Sequence, residues 1–173
     1  MQNYFELFDL PVQFTINRQA LDKAYKEIQK LVHPDRFATA TEAEKRTAMQ
    51  WAAMANDAYQ TLCNPVKRSA YLCALNGYDI TKETRTPLAP EFLMQQMEWR
   101  ESLLEAGKSG NRQALEKLAI QHRHLYEQQM HTVQTFLDGN RFEEAVSETR
   151  KMMFLEKSGE EIRCLFDELD SVN

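Results

Sequence analysis

Apolar residues recur at every third or fourth position along most of the chain. This period is typical of α-helices that bury one face and leave the other in water. The clearest stripe in the first half consists of Leu21, Ala24, Tyr25, Ile28, Leu31 and Val32. Glycine and proline are rare, with five of each, and they lie where such helices are expected to end. The pattern therefore predicts an all-α protein.

Four helices are predicted within residues 1–76, and the first is short. Asn17 is expected to cap the second, because its side chain can accept from free N–H groups of the first turn. That helix must end before Pro34, since the residue preceding a proline is pushed out of helical geometry. A third helix is predicted to begin at the capping box that Thr41 opens and to end before Pro65.

Residues 77–90 contain two prolines and no sustained period, so they are predicted to link residues 1–76 to a second domain at 91–173. Short connections between its helices favour antiparallel neighbours and a three-helix bundle. Gly159, inside the last helix, is expected to weaken it by about 1 kcal/mol relative to alanine. The three helices are predicted over residues 91–106, 112–137 and 141–170.

Charged residues are distributed unevenly along the 173-residue chain. The first 75 residues carry nine Lys and Arg against eight Asp and Glu, whereas the rest carry 12 against 18, which gives a net charge of −5. The acidic second half argues against nucleic acid as the main ligand. Neither a membrane span nor a secretory signal is apparent, so a cytoplasmic location is expected. The three scattered cysteines indicate neither a disulfide framework nor a zinc site, and no cofactor is expected.

Lys23, Lys26 and Lys30 lie at i, i+3 and i+7, so they share one side of the second predicted helix. This basic face leads directly to the tripeptide His33-Pro34-Asp35. Either feature alone is weak evidence, because lysines usually form a solvated face and a tripeptide occurs easily by chance. Pro34 has a fixed φ and no N–H, so it stiffens the loop.

Four features in order resemble the J-domain of DnaJ-type co-chaperones: the opening NYFELFDLP, the basic helix, the His-Pro-Asp loop, and the pair ANDAYQTL and NPVKRSAYL. They extend over about 75 residues, and the match is far more specific than any of its parts. The resemblance implies a domain without catalytic chemistry, hence not an enzyme, that binds a DnaK-type ATPase and stimulates it. The residues implied to contact that ATPase are His33, Pro34, Asp35, Lys23, Lys26, Lys30 and Arg36.

The segment PEFLMQQMEWRESLLEAG is too apolar for a single buried stripe. One face is predicted to pack into the bundle; it holds Phe92, Trp99, Leu103 and Ala106. Apolar side chains outside the buried faces, ringed by charge, indicate a docking surface. These side chains are Leu93, Met94, Met97 and, on the last helix, Phe154. Packing of the same four side chains between the two domains is an alternative of about equal weight.

A J-domain followed directly by an acidic helical bundle, without a Gly/Phe-rich segment or CxxC modules, resembles the HscB family of iron–sulfur co-chaperones. FLMQQMEWRE and KMMFLEK are similar to that family's scaffold-binding patch. The resemblance covers essentially the whole chain and implies two partners, the DnaK-type ATPase HscA and the scaffold protein IscU. A monomer with some weak self-association is expected. The residues implied to contact the scaffold are Leu93, Met94, Met97, Glu98, Arg100, Glu101 and Phe154.

Two other functions stay open at this stage. One is a J-domain co-chaperone that serves a different client. The other is a metal-dependent enzyme that uses the histidines of the predicted bundle. His124 and His131 share a helix face, but His122 does not, and no further ligand is evidently placed to complete a set. His33 and Asp35 likewise lack additional ligands, so packed or solvated histidines are the simpler interpretation.

Overall fold

The computed structural model describes residues 3–37, 40–81 and 88–171. The described residues form seven α-helices and one short 3₁₀ turn, with no strand, which confirms the predicted all-α class. The elements are α1 (Tyr4–Leu7), α2 (Arg18–Val32), the 3₁₀ turn (Pro34–Phe37), α3 (Glu42–Cys63), α4 (Pro65–Leu75), α5 (Pro90–Lys108), α6 (Arg112–Asp138) and α7 (Phe142–Ser171).

The chain folds as two compact units, of which the first ends at Leu72 and the second begins at Cys73. The linker predicted at residues 77–90 includes residues 82–87, which lie outside the described ranges. Its boundaries therefore stay a prediction.

The predicted helix starts are confirmed by side-chain caps. The Asn17 side chain accepts from the Ala20 N–H at 3.1 Å at the start of α2. At the start of α3, Thr41 and Glu44 form a reciprocal capping box, in which the Thr41 N–H donates to the Glu44 carboxylate at 2.8 Å. Each cap satisfies N–H groups that have no partner within the helix.

α2 and α3 pack as an antiparallel hairpin in the first unit. Early residues of α2 contact late residues of α3, since Arg18 donates to the Tyr59 hydroxyl at 3.0 Å. Further along α2, the Tyr25 hydroxyl donates to the Asn56 side chain at 2.5 Å. The Tyr25 and Tyr59 rings stack with their centroids 4.0 Å apart. These contacts fix the register of α2 against α3, and with it the positions of the end of α2 and the start of α3.

α1 is held in the first unit by one buried aromatic ring, by a stacked pair with α4 and by a hydrogen bond to α3. Phe5 is fully buried, and the Tyr4 ring stacks on Tyr71 at 4.4 Å. The Tyr4 hydroxyl donates to the Asp57 carboxylate at 2.5 Å. This hydrogen bond, with smaller effects of burial and of the Asp57 charge, raises the pKa of Tyr4 to about 12.

The second unit is the predicted three-helix bundle, with α6 and α7 antiparallel. Residues late in α6 contact residues early in α7, since Gln129 donates to the Glu148 carbonyl at 2.8 Å. At the other end of the pair, Arg112 at the start of α6 donates to Asp170 near the end of α7 at 2.6 Å. The inner face of α7 is buried, and its members include Ala145, Thr149, Met152, Leu155 and Ile162. Phe166 and Leu169 are half-buried beside Leu103, Ala106 and Leu115, which are buried at the far end of the bundle.

Gly159 on α7 lies against the His122 side chain of α6. A Cβ at this position would lie 2.9 Å from Cε1 of His122, well inside a normal contact. The His122 ring lies 6.1 Å from the Trp99 ring, and its Nε2 is 2.6 Å from the Leu155 carbonyl oxygen. Glycine at position 159 weakens the helix, as expected from the sequence, but it also makes room for the hydrogen bond between His122 on α6 and the Leu155 carbonyl on α7.

Replacing Gly159 with alanine should have opposite effects in two backgrounds. With His122 present, Gly159→Ala should lower the free energy of unfolding by about 1–3 kcal/mol, because the added methyl group displaces the ring. In a His122→Ala chain, Gly159→Ala should raise it by up to about 1 kcal/mol, since only helix propensity remains. Urea unfolding of the four chains measures this coupling; a stabilising Gly159→Ala in both backgrounds would refute the interaction.

Candidate functional site

The predicted His-Pro-Asp turn lies at the end of α2, with its two polar side chains exposed. His33 leaves helical geometry at φ −60° and ψ 133°, as expected of a residue that precedes proline. The side chains of His33 and Asp35 are 58% and 90% exposed. A 3₁₀ turn follows, in which the Arg36 N–H donates to the His33 carbonyl at 3.0 Å. The turn thus presents both polar groups to solvent within a hydrogen-bonded backbone.

The His33 ring has two contacts with Asp35 that require different protonation states. The Asp35 N–H lies 3.3 Å from Nδ1, a contact that needs Nδ1 as an acceptor. The Asp35 carboxylate lies 3.5 Å from the same Nδ1, an ion pair that forms only when the imidazole is protonated. When Nδ1 accepts from the Asp35 N–H, Nε2 carries the ring hydrogen and can donate it to a partner.

The three lysines of the basic face are all exposed on α2, as predicted. Glu27 interrupts this face, since its carboxylate accepts from the Lys30 ammonium at 2.8 Å. The hydrogen bond from Lys30 holds the pKa of Glu27 below its ordinary value. The face therefore carries less net positive charge than the lysines alone suggest, with Lys23 and Lys26 contributing the most.

A groove of about 540 Å³ between α2 and α3 connects part of the basic face to the turn. Lys26, Lys30 and His33 line the groove, whereas Lys23 does not. The Arg36 guanidinium donates to the Lys30 carbonyl at 3.4 Å, so it satisfies a carbonyl group in the last turn of α2. The structure therefore brings Lys26, Lys30 and His33 together in one concave surface.

The four apolar residues predicted to lie outside the bundle core are all exposed. We call Leu93, Met94, Met97 and Phe154 the apolar patch. Leu93 is 39% exposed, Met94 60%, Met97 66% and Phe154 44%. Their charged neighbours Glu98, Arg100 and Glu101 are exposed as well. An exposed cluster of large apolar side chains with a polar rim has the composition of a protein-binding surface.

Phe92 connects the α5 and α7 parts of the apolar patch. It is half-buried, and its ring meets Phe154 edge-to-face, with 6.1 Å between centroids and 85° between planes. This geometry is favourable for aromatic pairs and orients the Phe154 ring beside α5. Leu103 and Ala106, which were predicted to face the core, are buried, so α5 contributes side chains to both the core and the apolar patch.

Two exposed residues of this region were not predicted. Met153, beside Phe154, is 47% exposed, and Leu104 on α5 is 52% exposed. The sequence pattern could have identified Leu104, because it continues the spacing of Leu93 and Met97 along the helix.

The bundle histidines do not converge. His122 is half-buried against α7, while His124 and His131 are exposed. Among residues 3–37, 40–81 and 88–171, no three His, Cys, Asp or Glu side chains form a group that could hold a metal ion. Within the same ranges, no helix is long and apolar enough to cross a membrane.

Two family descriptions match successive parts of the chain. The DnaJ domain matches residues 3–71, and the HSCB C-terminal oligomerisation domain matches residues 88–163. The first match spans the turn and the basic face, and the second spans the apolar patch.

Curated relatives and solved structures match over nearly the whole length. A co-chaperone protein HscB homolog of Burkholderia multivorans is 44% identical, and the match covers 98% of this chain and 97% of that protein. The structure of chaperone HscB from Vibrio cholerae superposes with a TM-score of 0.88 at 36% identity, covering 96% of this chain and 99% of that one. Human co-chaperone protein HscB superposes with a TM-score of 0.89 at 29% identity, covering 95% and 82%.

Proposed function

The chain belongs to the HscB family of J-domain co-chaperones, which serve iron–sulfur cluster assembly, and we propose that it couples a specific ATPase to a specific client. In this proposal the first unit stimulates the DnaK-type ATPase HscA, and the second unit delivers the scaffold IscU to it in the cytoplasm. One observation carries the proposal: a single chain exposes both a His-Pro-Asp turn beside a basic face and an apolar patch on a separate unit.

The first unit acts through charge and shape rather than through covalent chemistry. Lys23 and Lys26 present ammonium groups that attract an acidic surface of the ATPase, so they steer the encounter and fix its orientation. His33 and Asp35 then offer a donor and an acceptor in a turn whose backbone is already ordered. Less conformational entropy is lost on docking when the contact groups are held in advance. The docked turn shifts the ATPase toward its hydrolysing conformation by binding that state more tightly.

The second unit holds the client through the apolar patch. Met94 and Met97 are unbranched and adaptable, so they can follow the contour of a partner surface. Phe154 provides a large ring whose orientation Phe92 already restricts, and such aromatic side chains often contribute the largest share of binding energy. Glu98, Arg100 and Glu101 surround the apolar residues with groups that can form specific polar contacts at the rim.

Carrying both surfaces on one chain makes modest affinities sufficient. When the client is bound to the second unit and the ATPase to the first, the second encounter becomes intramolecular. Its rate and equilibrium then depend on an effective concentration, which reaches the millimolar range for short connections. The role of the chain is therefore to raise the local concentration of the client at the ATPase.

His33→Gln should reduce stimulation of the HscA ATPase at least about tenfold, equivalent to ~1.4 kcal/mol of transition-state stabilisation. A glutamine amide cannot place a donor and an acceptor at the two ring positions. Single-turnover ATP hydrolysis measures the effect, and circular dichroism checks the fold. His124→Gln is the matched control, because this exposed histidine lies on the other unit. Full stimulation by the His33→Gln chain would contradict the proposed role of the turn.

The combined change Leu93→Ala, Met94→Ala and Phe154→Ala should weaken IscU binding about 100-fold, or ~2.8 kcal/mol. Thermal stability should change little, because exposed side chains contribute little to unfolding free energy. Titration calorimetry measures the affinity. The control is a chain with three other exposed apolar residues replaced, Leu31→Ala, Met49→Ala and Ile120→Ala. Equal affinities of the two altered chains would exclude the patch as the scaffold site.

A further inference from the structure

Three methionines of the second unit have exposed side chains. Met94 is 60% exposed, Met97 66% and Met153 47%, and we call these three residues the surface methionines. Met94 and Met97 are three residues apart on α5, so their side chains are neighbours on that helix. Met153 precedes Phe154 on α7, and the Phe154 ring meets Phe92 of α5 edge-to-face. All three thioethers therefore lie in or beside the apolar patch.

Packing within the bundle explains the neighbour of Met153 but not the surface methionines. Met152 is fully buried and contributes its side chain to the core, whereas Met153, the next residue, is exposed. An exposed methionine gains little of the free energy that burial of its side chain would supply. Adaptability to a partner is one property that suits methionine to this surface. The thioether has a second property that leucine lacks, because its sulfur can be oxidised.

A thioether reacts with hydrogen peroxide without help from a catalytic group. A lone pair of the sulfur attacks one peroxide oxygen, so an S–O bond forms while the O–O bond breaks. The departing hydroxide takes the proton of the transferred oxygen and leaves as water. Sulfur is oxidised by two electrons to the sulfoxide, and the peroxide is reduced. Because the oxidant must reach the sulfur, the reaction selects the surface methionines over the buried Met152.

We propose that the surface methionines are an oxidation site, at which conversion of the thioethers to sulfoxides by peroxide weakens binding of the client. This inference rests on the proposed function, because it assigns a regulation to the surface that holds the client. A sulfoxide oxygen is a polar acceptor, and its burial against an apolar partner surface without a donor costs free energy. Oxidation therefore opposes a contact that depends on apolar packing.

The modification is compatible with the folded bundle and is reversible. The surface methionines are exposed, so their sulfoxides stay hydrated in the free chain, while the core keeps the thioether of Met152. Methionine sulfoxide reductases restore the thioether with a dithiol as the reductant. The sulfoxide oxygen leaves as water, and the dithiol becomes a disulfide. Client binding can therefore be lost and regained without unfolding.

Other exposed sulfur atoms have to be separated from the surface methionines in any test. Cys164 is exposed on α7, but it lies ten residues after Phe154, or about 15 Å along the helix. Dithiothreitol added after oxidation returns cysteine disulfides and sulfenic acids to thiols and leaves methionine sulfoxides in place. In the first unit, Met49 and Met54 on α3 are also exposed, at 68% and 39%, and they provide a matched control.

Peptide mass spectrometry of the peroxide-treated full chain tests the selectivity. Met153 should be oxidised at least about fivefold faster than Met152, because only its sulfur is accessible in the folded chain. The two residues are adjacent in one peptide, so fragment ions compare them directly. In denaturing urea their rates should converge. Equal rates in the folded chain would overturn the proposed site.

Titration calorimetry with purified IscU tests the effect on the client. Each chain is measured before and after oxidation, with peroxide removed and dithiothreitol added. The Kd of the otherwise unaltered chain should rise about tenfold on oxidation. In a Met94→Leu, Met97→Leu, Met153→Leu chain the Kd should stay constant, because leucine keeps the apolar volume and has no sulfur. A Met49→Leu, Met54→Leu chain should show the same tenfold loss as the unaltered chain.

The outcomes of this comparison separate the inference from the proposed function. If the untreated chain binds IscU and oxidation leaves its Kd unchanged, the inference is wrong and the proposed function stands. Equal losses in the unaltered chain and the triple-leucine chain would likewise overturn the inference alone. Methionine sulfoxide reductase should restore the affinity as the added oxygen mass disappears, and a persistent loss would contradict the oxidation site. If the untreated chain does not bind IscU, the scaffold assignment fails and the inference fails with it.

Discussion

Burial of one apolar stripe on each helix is the constraint on which both units depend. The described residues contain no strand, and no disulfide joins any of the three cysteines, all of which are described, so packing of helix faces supplies most of the stability. A helix that needs only one buried face leaves the opposite face free for other roles. α2 uses its outer face for lysines, and α5 uses its outer face for leucine and methionine. The residues proposed to contact partners therefore lie on helix faces that the core does not use.

The two outer faces fit different kinds of partner. The α2 face is hydrophilic and strongly charged, which favours rapid, oriented association that weakens with salt. The α5 face is apolar with a charged rim, which favours a better-packed and longer-lived contact. In the proposed adaptor, this division lets the client stay bound while the ATPase associates and dissociates. The His-Pro-Asp turn sits where a proline must end α2, so a helix stop and the proposed contact point for the ATPase occupy the same residues.

Much of this fold could be predicted from the sequence because the deciding signals are local. Caps at Asn17 and Thr41 and the stop before Pro34 depend on neighbouring residues alone. The role of Gly159 could not be predicted in the same way, because the space it provides is needed by His122, 37 residues earlier in the sequence. Glu27 within the basic face, and Leu104 beyond the apolar patch, are visible in the sequence. Their effects are clear only from the structure. The ion pair with Lys30 shows that Glu27 lowers the positive charge of the basic face, and the exposure of Leu104 shows that apolar surface on α5 continues beyond the patch.

The adaptor role requires the two surfaces to lie on one molecule, and this requirement can be measured. Single-turnover HscA hydrolysis can be measured with IscU and an equimolar mixture of the His33→Gln chain and the Leu93→Ala, Met94→Ala, Phe154→Ala chain. The mixture contains one intact copy of each surface, but on different molecules. If one molecule must carry both surfaces, the mixture fails to reproduce the acceleration that IscU adds in the presence of the unaltered chain, because the effective concentration is lost. An acceleration equal to that of the unaltered chain would show that the surfaces act independently and would contradict the adaptor mechanism.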